Sequence, residues 1–232
     1  LEKIPKAVKD FEKDGCGEPV LRYQKPGVGA VYPIDAPEDS DFFEGDTLGL
    51  QWQWNANYKK EWYRLGDGGI TLFAQPSDPK TQLCDISNLL LQKWPAPEFQ
   101  ITTCLHLEHM GEGDVAGMVS LGGHYTALLV KKEKGRLILQ QRTGNWTKDD
   151  EVRTDLGQVE ENTLYLRMRV EKETYVSFET GCDEEHFSAA GETVEASPGR
   201  WVGVKAGLAA INEGGSAPGS IKADYFVFEA LH

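Results

Sequence analysis

Five histidines, four cysteines, a stretch dense in acid and six tryptophans are the groups in this chain of 232 residues with chemistry to offer. The histidines and cysteines come first. "HLEH" sets His106 and His109 three apart, and on a strand such residues face opposite sides, which makes no ligand pair. His124, His186 and His232 are each expected to be satisfied or exposed histidines rather than ligands. Cys16, Cys84, Cys104 and Cys182 are scattered without a CxxC pair, so the spacing gives neither a zinc motif nor a disulfide framework. Glycoside cleavage needs two carboxylates held on opposite sides of the sugar bond. A sandwich hydrolase presents them from one strand as E-x-D-x-x-E, and no such run occurs. The nearest is "ETGCDEEH", in which Gly181 and the cluster Asp183, Glu184 and Glu185 read as a loop. No GxSxG elbow, HExxH helix or phosphate loop is present either.

The tryptophans offer binding rather than bond cleavage. In "GDTLGLQWQWN" the extended spacing puts Leu50, Trp52 and Trp54 on one face, with Gln51 and Gln53 on the other. A strand that opens a sandwich must bury one face, so Trp52 is expected to pack inward with Leu50, and Trp54 to follow. The alternative is a platform for sugar, since indoles stack on the C–H faces of pyranoses while a flanking Asn, Gln or Asp binds hydroxyls. Trp54, Trp62 and Trp146 are the candidates for such a surface or for a domain interface, with Trp201 as a further one. Trp146, in the turn-like "RTGNWTKDD", is the one expected to meet solvent.

The elements that must position these groups are strands. "TLYLRMRV" alternates strictly, with Leu164, Leu166, Met168 and Val170 on one face. "FQITTCLHL" gathers Phe99, Ile101, Thr103, Leu105 and Leu107. "RLILQQR", "TYVSFET", "RWVGVKAGL" and "ADYFVFEA" repeat the theme, separated by turn signals such as "KEKG", "RTGN" and "NEGGSAPGS". About a dozen strands, each with one buried face, predict an all-β antiparallel two-sheet sandwich over residues 40–232. Residues 1–39 differ: Pro5, Pro19, Pro26, Pro33 and Pro37 with several glycines predict a connector.

Bulk composition narrows the partners. A net charge of −13 argues against nucleic acid, whose phosphates demand Lys and Arg. Ten acidic residues against three basic ones between Glu160 and Glu195 read as a solvated face. No apolar run reaches the roughly 20 residues of a membrane helix. The first residues lack the basic-then-apolar order of a secretory signal, so the expectation is either a removed signal or an internal piece of a longer protein, the absence of an initial Met favouring the second.

At "SDFFEGDTLGLQWQWN" a pattern emerges: D-x-F-x-G-x-x-L-x-x-x-W-x-W-N, followed by the tryptophan of "EWYRL". It resembles the C-terminal domain of glycoside hydrolase family 43 enzymes, the β-xylosidases and α-L-arabinofuranosidases. "AGMVSLGGHYTALLVKKEKGRLIL" is similar to that domain's glycine-plus-tyrosine strand pair, "KADYFVFEA" to its closing strand, and "DGCGEPVLRYQKP" to the segment leaving the catalytic domain. The resemblance covers the chain from about Asp14. It implies a concanavalin A-like β-sandwich (jelly roll) appended to a five-bladed propeller. In that family two aspartates and a glutamate of the propeller do the chemistry, and no residue here matches their motifs. The expectation is therefore a non-catalytic accessory domain, partnered by the propeller of a bacterial, secreted or periplasmic enzyme acting on xylan- or arabinan-type polysaccharide. The alternative is a module that binds plant cell-wall oligosaccharide by its own surface. In such sandwiches the first and last strands lie side by side, and Asp41, Gly45 and Asp224 would then be placed to hold a structural Ca2+. The connector's Val20, Leu21, Tyr23, Val28, Val31 and Tyr32 read as an apolar tie between the two domains.

Overall fold

Alternation builds the strands as expected. In "TLYLRMRV" the side chains of Leu164, Leu166, Met168 and Val170 are buried, while Tyr165, Arg167 and Arg169 stay half-buried on the opposite face. The computed structural model describes residues 38–231 apart from 149 and 200, and in addition the isolated positions 24, 27 and 29. The connector's six apolar side chains lie outside these described residues. The sandwich belongs to the unit Pro37–His232, and no helix in the described residues is long and apolar enough to cross a membrane.

The strands are β1 (Gln53–Trp54), β2 (Tyr63–Leu65), β3 (Ile70–Phe73), β4 (Gln75–Ser77), β5 (Leu90–Lys93), β6 (Phe99–His106), β7 (Asp114–Leu121) and β8 (His124–Glu133). They continue with β9 (Arg136–Asn145), β10 (Val152–Val159), β11 (Thr163–Glu171), β12 (Tyr175–Gly181), β13 (Phe187–Glu195), β14 (Lys205–Glu213), β15 (Ser220–Ala223) and β16 (Val227–Ala230). One sheet runs β1-β5-β14-β7-β8-β9-β10, with β4 added in parallel to β14. The other runs β13-β12-β11-β6-β15-β3-β2, with β16 paired to β6. Apart from β4–β14 these pairings are antiparallel.

Between the sheets, Phe99, Ile101, Leu105, Met118, Leu128, Leu166, Met168 and Leu208 are wholly buried. Each large apolar side chain removed from water contributes roughly 1.5–3 kcal/mol. Burial on one face only is not the rule, however. All eight residues of β7, "DVAGMVSL", are buried. Ala116 and Met118 face the second sheet, whereas Val115 and Val119 join Ala127, Leu129, Ala209 and Ile211 in a separate outer cluster. Leu83, Ile86 and Leu89 close over that cluster. A strand covered on both faces reads as a continuous apolar run rather than an alternating one.

Two turn signals met different fates. In "KEKG" Lys134 and Gly135 take φ of 52° and 74° and join β8 to β9 as a two-residue hairpin, the geometry whose twist suits flanking strands. "RTGN" is no turn, because β9 continues through Asn145. Gly144 pairs with Tyr125 across the strands, and the phenol of Tyr125 occupies the space a Cβ at position 144 would need. The glycine marks a close approach inside a strand.

Candidate functional site

The quoted tryptophan motif is a clamp. Residues 49–51 turn back, with the Trp52 N–H donating to Gly49 O at 3.1 Å, so Leu50 is not inward but 95% exposed. Trp52 and Trp54 do pack against the core. The Trp52 indole N–H donates to Asp41 Oδ2 at 2.7 Å, and its ring stacks on Phe43 and meets Phe226 edge-on. Asp41 Oδ1 accepts the Phe43 N–H at 2.7 Å, which holds Phe43 at a φ of 54° with its ring buried. Trp54 is surrounded by Tyr58, Trp62 and Tyr63. Trp62 is only 6% exposed and therefore presents no stacking face. Asn55 completes the motif by donating to Cys84 O and Ile86 O at 3.0 and 2.8 Å, tying down the cover over the outer cluster.

The first and last segments do lie side by side: Asp41 and Phe226 exchange backbone hydrogen bonds of 2.9 and 2.8 Å. Asp41 and Gly45 also line one hollow of about 500 Å³. Yet Asp41, Gly45 and Asp224 do not fit a calcium shell, which takes six to eight oxygens. Both oxygens of Asp41 accept N–H donors, and the neighbours of Asp224 are His106, Lys222 and Cys104, a set of nitrogen and sulfur.

Trp146 meets solvent as expected, at 44% exposure. It follows the end of β9, and its N–H donates to Gly123 O at 3.0 Å. Its neighbours Asn145 and Lys148 line a hollow of about 560 Å³ together with His124, Asp150, Glu195 and Ser197. The Asn145 side chain shapes the turn by accepting from the Thr147 N–H and hydroxyl at 3.0 and 2.7 Å. An exposed indole beside a polar hollow is the arrangement that sugar binding requires.

A third group is invisible in the sequence. Cys104 and His106 leave the outer face of β6, and β15 pairs beside them with Lys222 opposite His106. The chain then places Asp224 at Cys104, donating its N–H to Cys104 O at 3.1 Å. His106 Nε2 shares a hydrogen bond of 2.7 Å with Asp224 Oδ2, and Lys222 Nζ stands 2.9 Å from Oδ1. That last contact is an ion pair off hydrogen-bond geometry, since Oδ1 is buried without a hydrogen-bond partner. Burial by itself would raise the Asp224 carboxyl, but Lys222 and His106 outweigh it and hold it low. Burial pushes the Cys104 thiol up to about 11, with the Tyr165 hydroxyl offsetting part of the rise. Contrary to the strand reading of "HLEH", β6 stops at His106 and the chain turns, so His106 and His109 line one hollow of about 200 Å³. Because thiolate is the reactive form, Cys104 should alkylate on the order of a hundredfold more slowly than exposed Cys182 at pH 8, read by peptide mass spectrometry. Equal rates would contradict the burial of Cys104.

The acidic stretch carries no poised acid at Asp183. Its carboxylate accepts the N–H groups of His186 and Glu185 and pairs with the His186 ring, and these bonds pull its pKa down to about 2. A general acid must hold its proton near the working pH. Glu179 lies on β12, 3.8 Å from Arg167. The ionic feature the sequence reading missed is at the outer cluster. Arg142, wholly buried, grips Glu213 with two bonds of 2.8 and 3.0 Å, and Arg153 bonds Glu151 at 2.8 Å. Glu151 Oε2 in turn accepts the Leu83 N–H and the Tyr125 hydroxyl. The one signal was an arginine inside the strand "RLILQQR".

Two antiparallel sheets, a partly buried aromatic clamp joining first and last segments, and polar hollows on the outside define a concanavalin A-like sandwich domain. The chain belongs to the family of β-xylosidase C-terminal concanavalin A-like domains, whose pattern matches residues 40–229. It is 28% identical to a β-xylosidase of Formosa agariphila, over 95% of this chain and 39% of that protein. BlXynB, a GH43 protein from Bacillus licheniformis, shares the fold at a TM-score of 0.74 and 21% identity, over 92% of this chain and 43% of that one. SCLam, a non-specific endo-β-1,3(4)-glucanase of family GH16, shares it at 0.55 and 10% identity, over 87% of this chain and 94% of that one. The chain thus spans well under half the length of the curated relatives it matches.

Proposed function

We propose that this domain is the non-catalytic companion of a family 43 catalytic propeller, packing against it and shaping the rim of its active site on xylan- or arabinan-type substrates. One observation carries the reading. The segment that opens the sandwich leaves Phe42, Leu50 and Tyr58 exposed at 56%, 95% and 51%, although Trp52 and Trp54 of the same segment are turned inward. Exposed apolar groups mark a contact surface where they form one contiguous patch, as this reading requires of these three, and family membership supplies the occupant. Interfaces between domains of one chain typically bury about 600–1,500 Å², an area that a handful of such side chains anchors. Leu50→Asp should weaken association with a separately expressed propeller by about tenfold or more. Stability of the sandwich itself should change by no more than about 0.5 kcal/mol. Unchanged association would remove Leu50 from the interface. The chain alone should show no turnover of aryl xylosides or arabinosides, and turnover abolished by Asp150→Asn or Glu195→Gln would overturn the non-catalytic reading.

A second reading rests on Trp146 and its hollow: a binding surface for plant cell-wall oligosaccharide. Saturable xylo-oligosaccharide binding that is lost in Trp146→Ala would favour it over a purely structural domain.

A further inference from the structure

We propose that Cys104, His106 and Asp224 form a transition-metal site of the zinc type on the outer face of the second sheet. The ligand atoms of the three side chains all lie within 4.8 Å of one another. Zinc binds cysteine sulfur at about 2.3 Å, histidine nitrogen at about 2.0–2.1 Å and carboxylate oxygen at about 2.0–2.2 Å, with tetrahedral angles. At those lengths neighbouring ligand atoms sit roughly 3.2–3.8 Å apart, so a shift of about an ångström or less per side chain completes the set.

Cys104 and His106 are held by the strand β6, and Asp224 by a bend one residue past the end of β15. Cys104 and His106 are two apart on β6, so they leave the same face. Asp224 is fixed beside them by its own backbone bond to Cys104 and by the β15–β6 register. The donor set is the borderline mixture of sulfur, nitrogen and a single carboxylate that suits zinc and excludes calcium or magnesium, which take oxygen. Three protein ligands leave a fourth position for water or an exogenous ligand, and His106 borders the hollow it shares with Glu108, His109 and Lys222.

Two contacts oppose the metal, and both make the idea testable. The hydrogen bond between His106 and Asp224 must open. The Lys222 ammonium, 2.9 Å from Asp224 Oδ1, repels a cation, so neutralising it should tighten binding. An adventitious ion held by exposed groups elsewhere would ignore that change.

The experiment uses the whole chain, stripped with a chelator and titrated with Co2+ and then Zn2+. One equivalent of cobalt should produce a thiolate-to-metal charge-transfer band and strong visible bands of a four-coordinate ion, displaced by zinc, and zinc should raise the melting temperature. Cys104→Ser should abolish the charge-transfer band, and His106→Ala should weaken binding by about tenfold or more. Lys222→Met should tighten binding, while Cys182→Ser and Cys16→Ser should leave it unchanged. The proposal fails if the wild-type chain shows neither band nor thermal shift. It fails equally if the band survives Cys104→Ser, if it is lost in Cys182→Ser or Cys16→Ser, or if Lys222→Met leaves affinity as it was. Lys222 is half-exposed, so its variant keeps the test informative should Cys104→Ser fold poorly.

Discussion

Arg142→Ala should lower the stability of the domain by about 3–5 kcal/mol, a drop in melting temperature on the order of 10 °C for a chain of this size. The reason is what the alanine leaves behind. Arg142 has 1% of its side chain exposed and Glu213 has 7%. Without the guanidinium, Glu213 keeps only Arg153, and the Gln140 carbonyl that accepts the Arg142 Nε–H at 2.9 Å loses its donor. Breaking one member of a buried ionic set strands the others in a medium that penalises charge, whereas replacing the whole set with apolar groups need not. Arg142→Lys should recover part of the loss, because a lysine restores charge but not the two-pronged grip on the Glu213 carboxylate. Urea denaturation checks both. The consequence reaches beyond stability. Glu151, 3.7 Å from Arg142, accepts the Leu83 N–H at 2.6 Å, so the network fastens the cover over the outer cluster. Amide exchange should therefore rise around Leu83 before it rises in β6 or β11. An exchange pattern uniform over the whole sandwich would mean that the cover is held by its apolar contacts alone.

Trp52→Ala should cost a comparable amount, about 3–5 kcal/mol, while Trp146→Ala should stay within about 0.5 kcal/mol of the parent. The two tryptophans have the same side chain and opposite surroundings. Trp52 fills the space between Phe43 and Phe226, with ring centroids 5.8 and 5.1 Å away, so its removal opens a cavity that backbone-paired neighbours cannot close. It also leaves Asp41 Oδ2 without its nearest donor, and a polar group deprived of its partner adds roughly 1–3 kcal/mol. Trp52→Phe should separate the two contributions by keeping most of the ring and losing the N–H. Trp146, 44% exposed beside the hollow that its neighbours Asn145 and Lys148 line, has no such enclosure. Denaturation midpoints for the three variants test the division. Equal losses for Trp52→Ala and Trp146→Ala would show that Trp146 is structural and remove the basis of the sugar-binding reading.

Much of this architecture was legible in the residues. Alternation assigned the inward faces of β6 and β11 correctly, because a strand's side-chain period is two and needs no partner to be expressed. The spaced pattern from Asp41 to Asn55 pointed to the right family. Its physical content is local as well: an aspartate that caps the turn holding Phe43, and an indole within reach of the same carboxylate. The inward placement of Trp52 and Trp54 followed from the need to bury one face. Leu50 was misplaced because the chain turns at residues 49–51, and a two-residue strand is too short for its period to be read from outside.

Other features were decided only by tertiary structure. Whether β7 is covered on one face or two depends on where the segment bearing Leu83, Ile86 and Leu89 comes to rest, and its own residues do not encode that. The same limit explains the polar groups. His106 meets Asp224 across 118 positions, and Arg142 meets Glu213 across 71. Each encounter is fixed by which strands become neighbours and in what register. Register is a property of pairs of strands, set jointly by burial on both, so a single strand read alone shows what a side chain can do and which way it points, but not what it will face.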